Sequence, residues 1–170
     1  MNTTLDNLVS LARLSTSKIP ASARTMASFS LFDWIVVGRA GQKEPVSKII
    51  TKVLRAEGGQ EVATLFGGLR VPARAAALGN GTISHALDYD DTHFAHVGHL
   101  SVGILPAALA VAEETNASGA EVCDAFLLGA EGAVRLGMHL GRDHYQRGFH
   151  QTATAGAFGA AIAAARLFRL

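Results

Sequence analysis

Apolar residues recur at three- and four-residue spacing along most of the chain, the period of a helix with one buried face. Thr3 and Asp6 have capping-box spacing around the run Leu5, Leu8, Val9, Ala12. Pro20 suits the first turn of a second helix to about Gly38, with Ala23, Met26, Ala27, Leu31, Trp34 and Ile35 as its apolar positions. Pro45 opens a third helix, which Gly58-Gly59 closes. Val62 to Phe66 reads as a short strand or extended link, broken by Gly67-Gly68. Val71 to Ala86 is helical again, interrupted at Gly79-Asn80-Gly81. Ser118 and Glu121 form another capping box for a helix to about Gly141. The last helix starts near Gln151 and is dominated by Ala and Gly to Ala165. Arg166 and Arg169 lie in its final turns, where the helix dipole favours cations. The pattern predicts an all-α fold, a bundle-like array of helices without internal repeats.

Composition narrows the classes. The chain has 170 residues, the size of one domain, with 49% hydrophobic and 17% charged residues, which excludes intrinsic disorder. A net charge of +1 gives no electrostatic footprint for nucleic acid. The single cysteine, Cys123, excludes an intramolecular disulfide framework and a self-contained iron–sulfur cluster, and its apolar helix predicts a core residue. With 18 glycines and only 6% aromatics, the helices can approach closely but bury little apolar area per residue. That balance predicts a partner surface. Thr92 to Ala112 lacks Asp, Glu, Lys and Arg, yet His93, His96, His99 and Pro106 make it a poor membrane span. Met1 to Leu14 does not read as a secretory signal, so a cytoplasmic location is expected.

Charge and chemistry are unevenly spread. Residues 1–70 hold nine Lys+Arg against five Asp+Glu; residues 71–170 hold six against nine, and no lysine follows Lys52. Four of the seven histidines and three of the seven aspartates fall between His85 and His99, with no Lys or Arg beside them. On a continuous helix His85, Asp88, Thr92, His96 and His99 would share one face, but Gly98 interrupts it, leaving Asp88 and Thr92 as the same-face pair. Carboxylate, hydroxyl and imidazole together suit proton abstraction and return near neutral pH. The bland alternative is that Asp90 and Asp91 cap a helix while the histidines sit half exposed.

A second cluster runs from His144 through Tyr145, Arg147, Phe149 and His150 to Thr152, between two helices. It places His150 and Thr152 at a helix N-terminus, which favours an anion, with Arg147 as an added cation. The bland alternative is a loop whose Thr152 caps the last helix. No metal site is expected: H-E-x-x-H is absent and Cys123 has no cysteine partner. Gly79-Asn80-Gly81 does not match a nucleotide-binding glycine loop.

Several blocks together are more specific than any one of them. Asn80-Gly81-Thr82 leads to Ala86-Leu87-Asp88-Tyr89-Asp90-Asp91-Thr92, then to Gly98-His99, Ser101 and a Leu105-Pro106-Ala107 turn. Gly129-Ala130-Glu131 follows, then Tyr145 to Thr152 and the Gly/Ala helix. In order and identity these resemble the MmgE/PrpD family, which includes 2-methylcitrate dehydratase, cis-aconitate decarboxylase and iminodisuccinate epimerase. The resemblance implies a helical domain that also forms a dimer interface. It further implies a site without metal or cofactor, for small di- or tricarboxylates. Asp88, Thr92 and His99 fall on the family's D-x-D-D-T…H block and are the expected catalytic residues. His150 falls on its G-[FW]-H-x-T block and is the expected substrate contact, with Arg147 and His96 as further substrate-binding candidates. The chain departs from the family at His99-Leu100-Ser101, where His-Pro-Ser is usual.

Family members are longer, with an α/β lid domain and further active-site residues, including a lysine. Residues 1–170 are therefore expected to be a partial helical domain, without the lid. On its own the chain is expected to have little lyase activity. The alternatives are a helical fragment that works only by association, as a homodimer or with a C-terminal half, and a metal-binding helical module.

Overall fold

The computed structural model describes residues 3–170. Its elements are α1 (Thr4–Ala12), a 3₁₀ turn (Thr16–Lys18), α2 (Ala21–Gly41), α3 (Pro45–Glu57), β1 (Ala63–Thr64), β2 (Arg70–Val71), α4 (Ala73–Ser84), α5 (Ser101–Thr115), α6 (Gly119–Gln146) and α7 (Gln151–Leu167). The two strands form one small antiparallel ladder, so the fold is all-α. Both expected capping boxes are present: Thr3 with Asp6, and Ser118 with Glu121.

The helices pack around α5, which lies against α4, α6 and α7. Trp34, Ile104, Leu105, Phe126, Ala133 and Ala163 are buried in one cluster. The Trp34 indole N–H donates to the Ser84 hydroxyl at 2.8 Å, so its one polar atom is satisfied inside the core. α6 and α7 approach closely enough that a Cβ built at Gly129 would stand 2.5 Å from the Gly159 carbonyl oxygen. Close backbone approach compensates for the scarcity of large side chains.

Four features differ from the periodicity. α4 runs unbroken through Gly79-Asn80-Gly81. Asn80 belongs inside the helix because its side chain stitches it to the extended link, accepting from the Phe66 N–H and donating to the Thr64 carbonyl, both at 2.8 Å. Pro106 lies inside α5 rather than in a turn. This helix is apolar on nearly every side, so it carries no amphipathic signal to announce it. On α2 the buried residues are Ala27, Trp34, Val37, Gly38 and Gly41. Met26 and Ile35, expected among its inward apolar positions, are exposed, as are Phe29 and Phe32, because α2 is an outer helix that is apolar on both faces. Finally, α6 does not stop at Gly141 but continues beyond a break there.

Cys123 is half-buried at the edge of the main cluster, and burial pushes its thiol up, with Asp124 adding to the effect. Among the described residues, no helix is long and apolar enough to cross a membrane.

Candidate active site

The first cluster occupies an irregular segment between α4 and α5. His85 caps the C-terminus of α4, its N–H bonded to the Gly81 carbonyl at 3.1 Å. Asp88 then adopts a left-handed φ of +55°. Aspartate tolerates that region better than most residues, and the turn reverses the chain so that Asp90 points inward. The Asp90 side chain has no exposed surface. Its carboxylate lies 2.9 and 3.1 Å from His85 Nδ1 and 3.3 Å from His99 Nδ1. Asp91 takes a different part: it accepts from the Ser101 N–H at 3.0 Å and the Ser101 hydroxyl at 2.6 Å, capping α5 from ten residues upstream. The bland reading of the aspartates thus holds for Asp91 and not for Asp90.

His99 is held from two sides. Its backbone N–H donates to the Thr152 hydroxyl at 2.9 Å. Its Nδ1 lies 3.0 Å from the Asp90 backbone carbonyl. A carbonyl only accepts, so Nδ1 carries the proton and the neutral ring keeps its lone pair on Nε2. Asp88 Oδ1 is 3.3 Å from that Nε2. A proton-accepting nitrogen therefore sits beside an exposed carboxylate. Thr152 spends its hydroxyl on this loop rather than on capping its own helix.

The loop from His93 to Gly98 is closed by an antiparallel bridge. Val97 within it has φ of +57°, a strained conformation for a β-branched residue. His96 is fully buried beneath the loop, its Nδ1 3.1 Å from the Ala133 carbonyl. Burial lowers its ring pKa, outweighing that hydrogen bond, with His93 and His99 adding to the depression. Asp33 on α2 is pushed up by burial and then by Asp91, so the carboxylates here repel one another.

The second cluster is shaped by the break in α6. Gly141 has φ of +70°, open to glycine and costly for other residues. The buried Gln151 side chain donates to the carbonyls of Gly137 and Gly141 at 3.0 and 3.1 Å, satisfying groups near the interruption. Beyond it, Arg142 and Tyr145 reach the same cavity as α7's first residues. His150 caps α7 without a side-chain hydrogen bond to it.

Both clusters line one cavity of about 350 Å³. Asp88, Thr92, His99 and His150, all expected from the sequence, stand around it. His85, Arg142, Tyr145 and Thr152 line it as well. His96 and Arg147 do not: His96 packs against α6, where a Cβ on Gly137 would come 2.6 Å from its Nδ1, and Arg147 is the exposed C-cap of α6. Arg142 is thus the cation of the cavity. Gly141, which the sequence predicts as a helix end, is the signal in the sequence that the chain leaves the helix's regular path just before Arg142. His85, Asp88, Asp90 and His99 each place a donor atom within 4.8 Å of the others, a spacing that a divalent cation could draw together. Asp90 already engages both Nδ1 atoms, which leaves the two Nε2 atoms and Asp88 as the free donors. A basic groove of about 380 Å³ along α3, with Lys48, Lys52 and Arg55, is lined by no carboxylate and no imidazole.

A model of the MmgE/PrpD N-terminal domain matches residues 10–170. A cis-aconitate decarboxylase-like protein of Aspergillus oryzae, oryM, is 30% identical over 169 residues, covering 94% of this chain and 35% of the relative. Cis-aconitate decarboxylases of Mus musculus and Homo sapiens are 29% and 28% identical over 148 residues, covering 82% of this chain and 30% of each relative. The chain spans about a third of the length of the curated relatives it matches.

Proposed function

The chain belongs to the MmgE/PrpD family, and from that premise we propose that it supplies the acid/base part of the active site of a lyase acting on small di- or tricarboxylates. The observation that supports this most directly is the shared cavity. Residues 88, 92 and 99 of one segment and residue 150, some fifty positions further on, surround one space with a cation in its wall.

His99 is the proton-transfer group, through Nε2, with Asp88 beside it as proton partner. Thr92 supplies an orienting hydroxyl. Arg142 and the N-terminus of α7 offer positive potential to substrate carboxylates, and His150 contacts the substrate at that helix start. In a dehydratase, the base takes the proton α to a carboxylate and hydroxide departs. In a decarboxylase, carbon dioxide departs and a proton is delivered to carbon. The names of the relatives make cis-aconitate the first substrate to test, with 2-methylcitrate as the comparison. Association with a second copy or with a C-terminal half completes the reading; the exposed Met26, Phe29, Phe32 and Val36 on α2 support such a surface.

The test is titration of the isotope-labelled chain with each tricarboxylate, followed by amide and side-chain NMR, with product formation monitored in the same tube. Perturbation concentrated at Thr92, His99, Arg142 and Thr152, with little turnover by the chain alone, is the expected result. Perturbation confined to Lys48, Lys52 and Arg55 would remove the cavity as the carboxylate site.

A further inference from the structure

We propose that buried Asp90 is a positioning residue that fixes the ring tautomers of His85 and His99 together, so that the cavity has two basic Nε2 nitrogens rather than one. The proposal rests on the lyase reading for its purpose but not for its test.

The Asp90 carboxylate is withdrawn from solvent and, among the described residues, forms no ion pair with Lys or Arg. A buried carboxylate without a cation is costly unless hydrogen-bond donors surround it. The donors at hand are imidazoles. His85 Nδ1 sits within reach of both oxygens at 2.9 and 3.1 Å, so it bears its proton toward them. His99 Nδ1 bears its proton toward the same residue, at 3.0 Å from the backbone carbonyl and 3.3 Å from the carboxylate. One residue therefore governs two rings, by its side chain in one case and its main chain in the other. The rings meet edge to face, with centroids 5.0 Å apart. Both residues line the cavity; among the described residues the His85 Nε2 has no hydrogen-bond partner, and the His99 Nε2 faces the exposed Asp88 carboxylate at 3.3 Å.

Two such nitrogens match what an elimination requires. His99 Nε2 takes the α-proton, and the C–H electron pair becomes the new double bond. His85 Nε2, once it has itself taken up a proton, gives that proton to the departing hydroxyl, so that water leaves and the nitrogen is bare again. His85 then becomes the second proton-transfer side chain of the cavity, and Asp90 acts only through the two rings.

The experiment is long-range ¹H–¹⁵N correlation on the ¹⁵N-histidine-labelled chain in alkaline buffer, with His85→Gln and His99→Gln used to assign the rings. In the unsubstituted chain both rings are expected to show a protonated Nδ1 and a bare Nε2, opposite to the tautomer that free histidine prefers. In Asp90→Ala, which leaves no side-chain acceptor, His85 is expected to lose its Nδ1–H signature while His99, held by the backbone carbonyl, keeps it. An Nε2-protonated His85 in the unsubstituted chain overturns the proposal. So does a His85 signature unchanged by Asp90→Ala. If that variant does not fold, the spectrum of the unsubstituted chain decides alone. Failure of the chain to bind tricarboxylates would leave these spectra unaltered, which separates the two ideas.

Discussion

The backbone N–H of His99 donates to the hydroxyl of Thr152 across 2.9 Å, joining residues 53 positions apart. This bond holds the aspartate- and histidine-rich loop against the start of α7. It is the most direct link between the two clusters. Gly98, next to it, passes so close that a Cβ would lie 2.8 Å from the Thr152 nitrogen and hydroxyl oxygen.

Thr152→Val keeps the shape and removes the acceptor. It should cost about 1 kcal/mol, the usual worth of one such hydrogen bond. Gly98→Ala should cost more, about 1–3 kcal/mol, because the clash is partly with backbone. Urea unfolding of the two variants checks the order, and equal midpoints would show that the loop is held by other contacts.

The crossing of α6 and α7 should be equally intolerant. A methyl group at Gly129 meets the Gly159 carbonyl oxygen at 2.5 Å and Ile104 at 3.1 Å. Gly129→Ala should destabilise by about 1–3 kcal/mol, whereas Gly119→Ala, with open space around its Cβ position, should have little effect. Thermal melts of the pair are the measurement.

Stability should fall in mild acid because of His96. Burial holds its ring pKa below the ordinary 6.5, so the unfolded chain takes up a proton there while the folded one resists it. The contribution is therefore complete above about pH 6.5 and declines as pH drops toward the lower folded value. Its slope is at most about 1.4 kcal/mol per pH unit. His96→Gln should flatten that part of the profile, read from urea midpoints between pH 7 and pH 5, on the order of the histidine titration range. An unchanged slope would assign the acid sensitivity elsewhere.

Arg142 should matter to carboxylate binding and Arg147 should not. Losing a hydrogen bond between charged groups costs about 1.5–3 kcal/mol, or roughly ten- to a hundredfold in affinity. Arg142→Gln should weaken cis-aconitate binding by that order, while Arg147→Gln leaves it near the parent value. Calorimetry on the two variants separates them, and the reverse ranking would restore Arg147 as the substrate cation.

The sequence by itself determined the helices other than α5, and most firmly the starts of those that carry a capping box. A capping box such as Ser118 with Glu121 is complete within four residues, and helical periodicity needs only two turns to declare itself. The family blocks also brought forward Asp88, Thr92, His99 and His150 as candidates without any coordinates, and all four line one cavity. What only the tertiary structure decided is which groups meet. α5 was hidden because a helix buried on all sides has no polar face to set its period. Asp90 and Asp91, adjacent in sequence, parted because the left-handed turn at Asp88 sends one toward two histidines and leaves the other to cap α5. Arg142 replaced Arg147 at the cavity because α6 breaks at Gly141, and His96 went under the loop into contact with α6. Each of these outcomes depends on a local departure from regular backbone or on contacts between distant segments. Residue spacing encodes neither, because it carries only the short-range periods of helix and strand.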